Sequence, residues 1–64
     1  KVDRVYKAIY SLPPEQKMAI VLHALEAMTY SEIATAMNCS IGTVKSRIHA
    51  ARVALKRELL LENP

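Results

Sequence analysis

Residues 30–55 read YSEIATAMNCSIGTVKSRIHAARVAL, and this stretch decides the fold. Ile33, Ala34 and Met37 recur at one- and three-residue steps, as on one face of a short helix resting on a core. Asn38, Cys39 and Ser40 then interrupt the pattern with turn chemistry. From Ile41 a longer pattern begins, in which Val44, Ile48, Ala51, Leu55 and Leu59 form an apolar stripe. Lys45, Ser46, His49, Arg52 and Lys56 fall on the adjoining outward face. A short helix, a tight turn and a longer basic helix predict a helix-turn-helix, which lays its second helix in a DNA major groove.

The boundaries of this pair follow from local chemistry. Thr29-Tyr30-Ser31-Glu32 fits a capping box, with the Thr29 hydroxyl accepting from the third helical amide and Glu32 reaching back. The first helix of the pair is predicted over about Tyr30 to Met37, with small Ala34 and Ala36 suiting a close crossing. Asn38 suits left-handed geometry at its C-terminal end. Ser40 caps the next helix, which can run from Ile41 to about Leu60 until Asn63-Pro64 stops it. Gly42 at the second helical position costs intrinsic stability. Its benefit is close approach, either of backbone to phosphate or of one helix of the pair to the other.

Upstream, Val2, Val5, Tyr6 and Ile9 are spaced as a short amphipathic helix over Val2 to Tyr10, with Asp3, Arg4 and Lys7 opposite. Ser11-Leu12-Pro13-Pro14 ends it, because proline disfavours helical geometry in the residue before it. Pro14 then opens a helix predicted to reach about Ala27, with Glu15 in its first turn and Met18, Ala19, Leu22 and Leu25 as core. Ile20 and Val21 widen the apolar face, so this helix is either central and fully buried or meets a partner. His23 is placed on its more polar side with Glu26. The fold class expected is all-α: a small four-helix domain containing a helix-turn-helix.

With 64 residues the chain makes one domain, and 52% hydrophobic residues suffice for a small helical core. Lys1, Arg4, Lys7 and Lys17 are balanced by Asp3, Glu15, Glu26 and Glu32 over residues 1–40. Residues 41–57 hold Lys45, Arg47, Arg52, Lys56 and Arg57 with no acid. A basic excess confined to one helix is the footprint of a phosphate-backbone binder, although a solvated helix face has the same pattern. A single cysteine excludes an internal disulfide framework, and cytoplasmic residence is the default expectation. No apolar run approaches membrane-spanning length and no signal-peptide pattern is present, so no membrane partner is expected. The chain begins at Lys1 with helical patterning already under way, so a C-terminal fragment of a longer protein is expected.

Function is expected to reside at the starts of the two helices and along the second. Unpaired amides and the helix dipole converge at helix N-termini, so Tyr30 and Ser31, and Ile41 to Thr43, could each hold a phosphate. Lys45 could reach guanine acceptors or a phosphate, Ser46 can pair with several bases, and His49 can donate or stack. Arg52 and Lys56 lie further along and suit backbone contacts. Arg47 points differently, and a salt bridge to Glu32 competes with a DNA contact for it. Cys39 suits a small turn residue; neither His23 nor His49 lies at metal-ligand spacing from it, and no metal or cofactor is expected. No catalytic constellation is present, so an enzyme is not expected.

The stretches LPPEQ (Leu12 to Gln16), TYSEIA (Thr29 to Ala34) and GTVKSR (Gly42 to Arg47), followed by Ala51-Arg52 and Leu55, resemble region 4 of the sigma-70 family. Within it they are similar to the group called extracytoplasmic-function sigma factors. The resemblance covers nearly the whole chain. It implies a bacterial RNA polymerase specificity subunit whose terminal domain reads the promoter −35 element while docking on the β-subunit flap of the core enzyme. It also implies anti-sigma factors as partners, and it matches Lys45, Ser46 and His49 to base-facing positions. Ala27 stands where glycine is common before the third helix, and Ala50 where many members carry Arg, which removes one DNA contact. LuxR-type regulators share the four-helix build and an EIA-then-TVK pattern, and are the alternative. They usually carry His where this chain has Arg47, and they lack LPPEQ. A protein-interaction module is a third reading, drawn from the wide apolar surface.

Overall fold

The computed structural model describes residues 2–61; Lys1 and the Asn63-Pro64 stop lie outside the described residues, and so do the side chains of Val2 and Leu61. Four helices follow one another: α1 (Val2–Tyr10), α2 (Pro14–Ala24), α3 (Tyr30–Met37) and α4 (Ile41–Leu61). The longest, α4, is the spine against which α1, α2 and α3 all pack. Its 21 residues extend about 31 Å at the usual rise of an α-helix.

The core is built where the three shorter helices meet the inner stripe of α4. Ile33, Val44 and Ile48 are the largest fully buried side chains, and each contributes roughly 1.5–3 kcal/mol relative to an exposed one. Ala19 and Ala51 retain no exposure, and small side chains there let helices approach closely. Leu55 packs half-buried on this cluster, and Leu59 is half-buried beyond it. The inner stripe of α4 therefore follows the sequence pattern residue for residue.

In two shorter helices the buried residues match the expected faces only in part: Ile9, Ala19 and Leu22 face the core as expected. In α1 the buried pair is Ala8 and Ile9, while Val5 and Tyr6 stay exposed. In α2 Ala19 and Ile20 are buried and Val21 and Leu22 pack half-buried against the core, so Ala19 and Leu22 face inward as expected, and Gln16 and His23 are half-buried as well. Met18 is 51% and Leu25 53% exposed, so neither is core, and Ile20 takes the central place instead. His23 thus lies on the inner side of α2, not on its polar side. Ala36 is exposed, which leaves Ala34 alone to serve the crossing of α3 with its neighbours. No helix among the described residues is long and apolar enough to cross a membrane.

The connections explain where the helices stop. Ser11 closes α1 by donating its amide to the carbonyls of Lys7 and Ala8, and Leu12 donates to Ile9, before the two prolines. Pro14 opens α2 at a position where its missing N–H costs nothing. That helix ends at Ala24, three residues before the expected end, because Ala27 adopts a left-handed φ of 57° that helical geometry forbids. Met28 reaches back across this linker to donate its amide to the Leu22 carbonyl at 3.0 Å. Asn38 ends α3 at φ 55° and ψ 52°. There Asn38 donates to Thr35 and Cys39 donates to Ala34, the paired bonds of a Schellman closure.

Candidate nucleic-acid interface

The start of α3 carries a complete capping box. The Thr29 amide donates to Glu32 Oε1 at 2.8 Å, and the Glu32 amide donates to Thr29 Oγ1 at 3.1 Å. The box thus satisfies the cap and the third helical amide, so the Tyr30 and Ser31 amides remain for an external acceptor. Ser31 is exposed and Tyr30 is half-buried against the core.

The start of α4 repeats the arrangement with different residues. Ser40 Oγ accepts from the Thr43 amide at 3.1 Å and pairs with Thr43 Oγ1 at 2.9 Å. The Ser40 carbonyl takes the Val44 amide. The Ile41 and Gly42 amides are left at the helix start, beside a residue with no side chain to screen them. A Cβ built on Gly42 would meet only Ser40 Oγ, at 3.8 Å, which is ordinary contact. Close approach of α3 to α4 is therefore not what the glycine serves. Of its two expected benefits, only approach by something outside the domain remains.

Along α4, Lys45, His49, Arg52 and Lys56 follow at steps of four, three and four, with Ser46 beside them, and all five are exposed. Gly42 lies one step before Lys45 on the same face. The surface so formed has a free helix start at one end, cations and polar groups in its middle and Lys56 at the far end, with no acid between residues 41 and 57. Such a face offers phosphate contacts at its ends and hydrogen-bonding side chains between them.

Arg47 does not belong to this face. It is half-buried, and its Nη1 donates to Cys39 Sγ at 3.8 Å. No ion pair joins it to Glu32 among the described residues, and the Glu32 carboxylate is already engaged by the Thr29 amide. Of the two competing roles for Arg47, the salt bridge is not formed, because the capping box turns Glu32 back along its own helix. Cys39 sits half-buried against the core, more than a bare turn residue. His23 is the residue that sequence reasoning misses: its Nδ1 lies 3.1 Å from the Met28 carbonyl, and its ring packs on Tyr30 with centroids 5.0 Å apart.

The family model described as Sigma-70, region 4 matches residues 3–55. The chain belongs to the sigma-70 family, as a region 4 domain. It is 46% identical over 55 residues to the ECF RNA polymerase sigma-E factor of Escherichia coli (strain K12), a match covering 86% of this chain and 29% of that protein. The sigma-E factor of Salmonella typhi is similar to the same degree, and that of Haemophilus influenzae is 42% identical over 55 residues. These relatives identify the domain as the extracytoplasmic-function type, and the LuxR-type alternative is not favoured. The chain spans 29% of the length of the curated relatives that it matches. The region 4 match contains both helix starts and all but the last residue of the basic face, Lys56.

Proposed function

We propose that this domain reads the −35 element of a bacterial promoter, as the DNA-recognition part of a longer, non-enzymatic sigma factor that directs RNA polymerase core to start sites. The observation that carries the reading is the exposed, acid-free face of α4 running from Gly42 through Lys45, Ser46, His49 and Arg52 to Lys56. In this reading Lys45, Ser46 and His49 meet base edges, because the N-terminal part of a recognition helix enters the groove. Arg52, Lys56 and Thr43 hold phosphates, as do Tyr30 and Ser31 at the start of α3. Arg47 acts from the flank, held by Cys39, and reaches the backbone at most.

Docking on the β-subunit flap is proposed from the family and supported by apolar surface that the fold leaves open. Pro14, Met18, Leu22 and Met37 line an open groove of about 470 Å³ between α2 and α3, away from the basic face of α4. An anti-sigma factor would compete for surfaces of this kind, in the cytoplasm where the polymerase works.

Selection of bound duplexes from a random library, followed by salt titration of the winner, tests the reading. One asymmetric motif with affinity falling steeply as salt rises is the expected result. An inverted repeat with half-sites about one helical turn apart would point to a dimeric regulator instead. No enrichment would leave protein docking as the role of the domain. On the selected duplex, Lys45→Ala is expected to weaken binding by roughly 1–3 kcal/mol if the lysine meets a base.

A further inference from the structure

We propose that His23 is a positioning residue for DNA binding: it fixes the Tyr30 side chain so that the tyrosine hydroxyl is presented to a backbone phosphate. The proposal rests on the reading of Tyr30 as a DNA contact. Its own support is the geometry around the α2–α3 linker. The Met28 peptide is gripped at both ends, its amide by the Leu22 carbonyl at 3.0 Å and its carbonyl by His23 Nδ1 at 3.1 Å. A carbonyl can only accept, so His23 Nδ1 carries the proton. The same imidazole lies against the Tyr30 ring at 5.0 Å with planes tilted by 50°, within the range that aromatic pairs favour.

Two residues later than Met28, Tyr30 begins α3 with its ring packed on the core. Its hydroxyl bonds to no protein atom among the described residues and is not enclosed, so its polar end is open to an outside acceptor. A tyrosine anchored by its ring and open at its hydroxyl loses little freedom on meeting a phosphate, and that saving is what His23 contributes. The linker needs such a prop, since Ala27 holds a conformation that disfavours residues with a Cβ.

The test compares the wild-type domain with His23→Ala, Tyr30→Phe and the double variant on the selected duplex, with unfolding followed in parallel. Tyr30→Phe and His23→Ala are each expected to weaken DNA binding by roughly two- to tenfold, the worth of one net hydrogen bond. The double variant is expected to bind no worse than the weaker single one, because both changes remove the same contact. A purely structural role would instead let His23→Ala cost the same factor with or without the Tyr30 hydroxyl, and that outcome overturns the proposal. If His23→Ala does not fold, His23→Asn, whose amide can still donate to Met28, enters the same cycle with the same criterion. Lys45→Ala separates the positioning role from the DNA reading beneath it. If it weakens binding while the His23 variants do not, only the positioning role falls. If neither matters, or selection yields no duplex, the DNA reading fails and this proposal with it.

Discussion

The two connections that bracket α3 share one unusual backbone state and reach it by different means. Ala27 and Asn38 are left-handed at φ 57° and 55°. At Asn38 the residue type suits the geometry, and two local backbone bonds close the turn. At Ala27 the residue type opposes the geometry, and the linker is closed by the Leu22 carbonyl on the Met28 amide and by a side chain, the His23 imidazole, on the Met28 carbonyl. The turn inside the helix-turn-helix is therefore closed by backbone bonds, whereas the joint that attaches the pair to its scaffold also uses a side chain. A rigid turn keeps α3 and α4 as one reading unit, while the joint sets how the unit sits.

The largest effect is expected where the joint meets α3. Thr29→Ala removes the hydroxyl that holds the Glu32 amide and should cost about 1–2 kcal/mol in urea unfolding. An unchanged midpoint would mean that packing of Tyr30 and Ile33 alone sets the start of α3. Next come paired glycine substitutions that test the comparison itself. Ala27→Gly is expected to stabilise the domain by about 1 kcal/mol, as strain relief exceeds the entropic cost of glycine. Asn38→Gly is expected to change roughly nothing, because asparagine already visits this region. Equal gains at both sites would show that the two joints are not different in kind.

The same division separates what the sequence makes legible from what it does not. The capping box, the Asn38 turn, the Ser40 cap and the α4 stripe of Val44, Ile48 and Ala51 are all readable, because each depends on neighbours within a few residues or on one unbroken period. The inward face of α2 is legible only in part, at Ala19 and Leu22, since apolar residues occur on several of its sides and polar His23 is half-buried as well. A hydrophobic count therefore favours Met18 and Leu25, which the fold leaves exposed. His23 lies on that inner face because its partners, the Met28 carbonyl and the Tyr30 ring, exist only once the linker has turned. Within the candidate site, the outward placement of Lys45, Ser46, His49, Arg52 and Lys56 follows from periodicity alone. The direction of Arg47 does not, because it depends on where Cys39 comes to rest.

Gly42, just past the turn closed by backbone bonds, offers a smaller effect with two opposite signs. Nothing in the protein opposes a Cβ there, so Gly42→Ala should raise stability, by at most about 1 kcal/mol. Affinity for the selected duplex should fall in the same variant, because the added methyl stands between the Ile41 and Gly42 amides and an incoming phosphate. Stability and affinity moving in the same direction would show that the glycine is not kept for an outside partner.

The smallest expected effect concerns Glu32 and Arg47, one at each side of the turn between α3 and α4. Opposite charges on adjacent helices invite a cross-turn pair, and such a pair would make the turn depend on side chains, like the joint before α3. The structure engages them separately: Glu32 serves the Thr29 amide, and Arg47 serves the Cys39 sulfur. Glu32→Gln and Arg47→Gln should therefore add in unfolding free energy to within about 0.5 kcal/mol, the ordinary limit for independent sites. A larger favourable coupling would mean that the two charges meet in solution, and the turn would lose its standing as the one closed by backbone bonds. Because the amide oxygen introduced by Glu32→Gln can still accept from the Thr29 amide, the cycle leaves the cap in place and isolates the charge.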